Sequence, residues 1–152
     1  MRAAGLMLAA GLLGLAATAP PLRAAETALA APWPSWEAPR QIILQLTDGE
    51  PRTAGNLLSN AVNLQKFYGQ DLVKVAIIAY GDGVKAMLAG TSPVQDRIAS
   101  LQQYDVEFVA CGNTLAATGK TEADLLPGVK VVTAGIAEIT ERRLKGWIYI
   151  AP

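Results

Sequence analysis

The 152-residue chain contains no histidine and only one cysteine, Cys111. The first absence excludes imidazole general-base catalysis, Ser-His-Asp and Cys-His arrangements and every histidine-containing metal site. The second excludes an intramolecular disulfide and a thiolate cluster for zinc or iron–sulfur. Aromatic residues are sparse at 6%, and neither sign of charge is in excess, with Lys+Arg and Asp+Glu at 13 each. Without a basic surplus there is no sequence-wide electrostatic case for nucleic acid. The one long apolar run, Ala3 to Ala17, falls short of the ~20 residues that a membrane span needs. Few chemistries survive these counts.

That apolar run has another use. Arg2 and the free amine precede it, and small residues with prolines follow (Ala16-Ala17-Thr18-Ala19-Pro20-Pro21). A positive start, a short apolar stretch and a small-residue exit describe a secretory signal peptide, here residues 1–25, cleaved between Ala19 and Ala25. The expected location is then periplasmic or secreted. No membrane contact is expected beyond the signal. Every acid lies at or beyond Glu26, so the exported part carries 11 cations against 13 acids and is mildly acidic. Residues 26–39 hold three prolines and two tryptophans without a period. They read as an extended lead-in, because proline disfavours helix at its own position and the one before. Trp33 and Trp36 either pin it to the domain or leave it loose.

From residue 40 to 152 the pattern alternates. Gln41–Leu46, Val73–Ala79, Val106–Ala110, Val129–Val132 and Trp147–Ile150 are apolar runs bounded by turn residues, hence strands. Leu57, Ala61, Leu64 and Tyr68 share one helical face that stops at Gly69. Tyr80–Gly83 turns into a short helix ending near Gly90. Ser92-Pro93-Val94-Gln95 reads as a serine cap, a proline at the first helical position and a reciprocal glutamine, with Val94, Ile98 and Leu101 buried behind it. A last helix over Ala134–Lys145 would turn Ile136, Ile139 and Leu144 inward. Alternation of this kind predicts an α/β fold: three α/β/α layers around a mostly parallel five-stranded sheet.

In such sheets ligands gather where strands end at their carboxyl termini. Three loops qualify: Thr47–Glu50, Tyr80–Gly83 and Cys111–Thr114. Gly81-Asp82-Gly83 lacks the third glycine of a dinucleotide fingerprint and is followed by no P-loop lysine, so it reads as a turn. Asp48, Glu50 and Asp82 could pair for acid/base work or a hard cation, but acids in turns usually cap amides, and no metal is expected. Arg142, Arg143 and Lys145 near a helix end complement its dipole, with an anion or partner patch as the other reading. Cys111 falls just past the third strand, with Gly112 loosening the backbone and Asn113 or Thr114 capping a short helix over Leu115–Thr118. A sulfur beside a helix start is favoured as thiolate, a nucleophile able to hold a persulfide. Free cysteines also simply pack.

Val106-Glu-Phe-Val-Ala-Cys-Gly-Asn-Thr114, Asp124-Leu-Leu-Pro-Gly-Val-Lys-Val-Val132, Ala134-Gly-Ile-Ala-Glu-Ile139 and Gly146-Trp-Ile-Tyr-Ile-Ala-Pro152 resemble the DsrE/DsrF-like sulfur-relay family, which includes DsrE, TusD and YchN-type proteins. Asn56–Asn63 and Val73–Gly83 fit the same pattern. The resemblance implies a DsrE-like domain with flavodoxin-like layering, homo-oligomers and a persulfide-carrying cysteine at this strand end, here Cys111. Its partners would be sulfur donor and acceptor proteins or small thiols, with no cofactor and at most a sulfurtransferase-like activity. Gly112, Asn113, Thr114, Tyr80 and Gly81 are the candidate ligand-binding neighbours. Relatives often have His-Gly where this chain has Tyr80-Gly81, so no role of that histidine carries over. The relay members are cytoplasmic, whereas this chain reads as exported. The alternative is a non-catalytic binding or assembly module of the envelope with a structural cysteine.

Overall fold

The computed structural model describes residues 25–152, so the expected signal peptide, Ala25 apart, lies outside the described residues. Residues 25–31 belong to a separate unit and contain neither helix nor strand. In the unit from Pro32 onward, the lead-in makes a small turn in which the Ala38 N–H bonds both the Ser35 carbonyl and the Ser35 hydroxyl. Trp33 and Trp36 stand 75% and 77% exposed, so neither pins the segment.

The apolar runs form five strands: β1 (Arg40–Leu46), β2 (Val73–Ala79), β3 (Glu107–Cys111), β4 (Lys130–Val132) and β5 (Ile148–Ile150). All pair in parallel, in the order β4-β3-β2-β1-β5. Four α-helices accompany them: α1 (Pro51–Tyr68), α2 (Gln95–Gln102), α3 (Gly112–Ala117) and α4 (Gly135–Leu144). Strand side chains alternate between faces. Ile42, Leu44, Val75, Ile77 and Phe108 enter the larger core, where α1 adds Leu57, Leu58 and Ala61 and α2 adds Ile98 and Leu101. Ile43, Ile78 and Val109 point the other way, into a smaller core closed by Ile139 of α4. The first four strands step across the sheet in chain order. The connection through α4 then returns the chain to the opposite edge, beside β1.

Three local expectations are corrected by these contacts. The segment after β2 is a 3-10 helix over Gly81–Met87. The Ser92 hydroxyl does not cap a helix. It donates to the Ala86 carbonyl at 2.5 Å and accepts the Val94 N–H at 3.2 Å, and α2 begins only at Gln95, with no side-chain cap. The last helix does not turn Ile136 and Leu144 inward, for they are 58% and 78% exposed. Its inner face is Gly135, Ile139 and Arg142, an i, i+4, i+7 row. Leu144 is five residues beyond Ile139 and so falls well off that row.

Arg142 therefore does not face water as an ordinary helix-end cation. Its Nε donates to Glu138 at 2.7 Å, and its guanidinium makes two bonds to the Glu107 carboxylate of β3, one of 2.5 Å and one of 3.2 Å. The same group lies 4.9 Å over the Trp147 ring, and Arg143 lies 5.5 Å over Tyr149. A helix with one fully buried large side chain gains little from burial, roughly 1.5–3 kcal/mol. The forked Arg–carboxylate contact supplies the remaining attachment.

Candidate functional site around Cys111

Parallel register determines what surrounds the cysteine. Ala79 pairs with Ala110, so Tyr80 follows beside Cys111 on one side. Cys111 itself pairs with Val132, so the turn from β4 into α4 follows on the other. The carboxyl ends of three strands thus converge on one sulfur. Cys111 is not past its strand: it is the last residue of β3 and the cap position of α3, which starts at Gly112 without a positive φ. Asn113 and Thr114 lie inside that helix and do not cap it. The Asn113 N–H bonds the Thr133 carbonyl at 3.0 Å, tying α3 to the end of β4. The Thr114 hydroxyl accepts the Gly81 N–H at 3.1 Å, tying α3 to the end of β2, where Gly81 adopts a φ of 55°.

Cys111 is 6% exposed. Burial by itself pushes its thiol up, since the charged form loses water. The Thr114 hydroxyl and the N–H groups of Gly135, Thr114 and Asn113 oppose this, and the net direction is down from the ordinary value of 9.0. Asn113 contributes least, its N–H being shared with Thr133. The Thr114 hydroxyl is polarised in turn by the Gly81 N–H that it accepts. The thiol is thus lowered by neutral dipoles, with no imidazole in the chain and no cation contributing among the described residues.

Gly135 was not anticipated at this site. A Cβ there would stand 3.3 Å from the Cys111 Cβ and 3.4 Å from Tyr80, so any side chain would have to push these neighbours back by a few tenths of an ångström, and glycine lets α4 bring its first N–H close without that shift. The signal in the sequence was the Ala134-Gly135 step after the fourth strand, but it pointed nowhere until β4 was known to neighbour β3. The Tyr80 hydroxyl accepts a 2.5 Å bond from Gln45 Nε2, which fixes the ring beside the site.

The three acids gather around Lys85, which feels the charge of each. Asp48 accepts the Glu50 N–H at 2.9 Å, as turn acids do, and Asp82 pairs with Lys85 at 2.7 Å. Among the described residues no group of three or more Cys, Asp or Glu side chains could hold a metal. Gly81, Asn113 and Thr114 also wall one end of an open groove of about 650 Å³, which runs between the 3-10 helix and α3. No described helix is long and apolar enough to cross a membrane.

A family model described as DsrE/DsrF-like matches residues 41–152. Among solved structures, the protein of unknown function MTH1491 from Methanobacterium thermoautotrophicum is 32% identical, with a TM-score of 0.71 over 74% of this chain and 99% of its own. The ychN protein of E. coli gives 18% identity and a TM-score of 0.62, covering 75% of this chain and 99% of that one. BT1422 from Bacteroides thetaiotaomicron, a conserved protein of unknown function, gives 23% and 0.60, over 74% and 94%. The last two show likeness of fold only. No curated protein matches.

Proposed function

Since the chain belongs to the DsrE/DsrF-like family, we propose that it is a sulfur carrier holding a sulfane sulfur as a persulfide on Cys111. The observation that carries this reading is the set of donors from the ends of β3 and β4, which lowers the thiol against its own burial. The thiolate attacks the outer sulfur of a donor persulfide or polysulfide, forms a new S–S bond and expels the donor's inner sulfur as thiolate. With no second cysteine in the chain, the bound sulfur leaves to the thiol of another protein or a small molecule. The test is to incubate reduced, folded protein with polysulfide and look for sulfur adducts on the Cys111 peptide by mass spectrometry, with Cys111→Ser as control. One-sulfur adducts on the folded wild type are expected. A folded protein that stays unmodified while urea-unfolded protein reacts fully would overturn the reading.

The 6% exposure of Cys111 favours a second reading, a non-catalytic binding or assembly module in which the cysteine packs. The same experiment decides between the two. Our reading also includes export to the periplasm or beyond, with the signal removed between Ala19 and Ala25. Intact-mass measurement on protein from the native host should show that loss, and recovery of all 152 residues in the cytosol would refute it.

A further inference from the structure

Residues 32–39 (PWPSWEAP) leave both of their tryptophans in water, Trp33 and Trp36 being three quarters exposed. Indoles carry the largest apolar area of any side chain, so an ordered segment that shows two of them marks a contact surface. The segment is held in shape. The Ser35 N–H bonds the Ala38 carbonyl at 3.2 Å, the Ala38 N–H bonds both oxygens of Ser35, and Pro34 and Pro39 fix φ on either side. An arm shaped beforehand gives up little further entropy when it docks.

A groove between α1 and α2 opens at the edge of the sheet where this arm joins β1. Arg40 of β1 pairs with Val73, the first residue of β2, so the two strands start level. Gln70, just before β2, and Tyr104, just before β3, line the groove at that same edge. Val62, Leu101 and Tyr104 give it apolar surface, and the Gln65 side-chain amide ties its walls together by a 2.6 Å bond to the Tyr104 carbonyl. Its volume is about 560 Å³, within the roughly 300–1,000 Å³ of sites that enclose drug-sized ring systems. Lys66 and Arg97 share the lining with Asp96, and Asp71 and Asp105 adjoin it in the chain, so charge selects neither an anion nor a cation. An apolar occupant with little charge suits it, and residues 32–39 carry a single acid, Glu37.

We propose that residues 32–39 of one copy dock, through Trp33 and Trp36, into the α1–α2 groove of a second copy, and that the exchange is reciprocal. Neither tryptophan enters the groove of its own chain. Because arm and groove share one edge, two copies set edge to edge about a two-fold axis each seat an arm in the other. A tryptophan offers roughly 150–250 Å², of which about three quarters is uncovered here. Four of them with matching groove surface remove roughly 900–1,500 Å², which reaches the ~1,000 Å² of a specific interface. The contact uses neither β5 nor Cys111, so it does not depend on the carrier reading.

The experiment puts the photo-crosslinker benzoylphenylalanine at position 36 and mixes isotopically light and heavy protein. Light-to-heavy cross-links from position 36 to the groove peptides of α1 and α2 are expected. Cross-links confined to one isotope, or leading to any other surface, would overturn the proposal. Sedimentation equilibrium then weighs the contact, in an Ile150→Lys background that removes association through β5. Replacing Trp33 and Trp36 together by alanine should weaken self-association about thirty-fold or more. Ser100→Arg, which fills the groove from an exposed helix position, should do the same, and the combined variant should lose nothing further. Unaltered thermal unfolding checks that each variant is folded. Unchanged association in the folded variants refutes the docking. So does tryptophan-dependent binding to phosphatidylcholine–phosphatidylglycerol vesicles with self-association untouched, since the arm would then be a membrane anchor.

Discussion

Thr114 occupies two networks at once, since its oxygen accepts the Gly81 N–H at 3.1 Å while its proton faces the Cys111 sulfur. Valine has nearly the same shape and χ1 stiffness but neither property. Thr114→Val should therefore move the Cys111 thiol up toward 9.0, because one of the groups holding it below that value is gone. Iodoacetamide alkylation rates recorded against pH will show the inflection displaced to higher pH, and slower alkylation at neutral pH. Thr114→Ser, which keeps the hydroxyl, should restore the wild-type profile. An unmoved profile in the valine variant removes Thr114 from the account of the thiolate. The presence of Cys111 at a strand end was legible from the run of apolar residues before it. Of its donors, Asn113 and Thr114 follow it closely in the chain, but Gly135, and the Gly81 N–H that polarises the Thr114 hydroxyl, lie far off along the chain and were not legible.

Among the elements, α4 is the one whose attachment matters most to the site, since its first N–H faces the sulfur while its far end is fastened by Arg142. Arg142 beside it holds the Glu107 carboxyl below 4.5, against the upward push of burial and with help from Lys130. A lowered folded value means that the unfolded chain takes up the proton first as pH falls. The stabilisation from this pair is complete above about pH 4.5 and is lost as pH drops through the folded value. Urea midpoints should fall on acidification in that range. Glu107→Gln should flatten that part of the pH profile and cost about 1.5–3 kcal/mol at neutral pH. An identical acid limb in the variant would show that other carboxylates govern it. This pairing was not readable beforehand, since a helix-end arginine with no visible partner belongs by default to the solvent. Only when α4 presents its Gly135–Ile139–Arg142 row to the sheet does Arg142 meet Glu107.

For the whole molecule, the sheet ends on one side in a three-residue strand whose Ile148 and Ile150 are 45% and 36% exposed. The outer face of α4 leaves Ile136 and Leu144 uncovered as well. Apolar side chains on an open parallel edge invite association with another copy. We expect light scattering at micromolar concentration to return a multiple of the protomer mass, and Ile150→Lys to shift it toward the monomer. A monomeric mass for the wild type would refute the homo-oligomer.

Local pattern was enough for the strands, the long helix α1 with its stop at Gly69, the α/β class and the placing of Cys111 at the carboxyl edge of the sheet. Each depends on periodicity or on a turn residue within a few positions, and so is written in neighbouring letters. Tertiary structure alone decided the order β4-β3-β2-β1-β5, which sets Tyr80 and Gly135 on either side of the cysteine. It also decided the inward face of α4, the diversion of the Ser92 hydroxyl to Ala86, and the groove that ends at Thr114. These outcomes depend on which distant backbone groups are brought within hydrogen-bonding distance. A thiolate's stability is a sum over all the dipoles around it, and no window along the chain contains that sum.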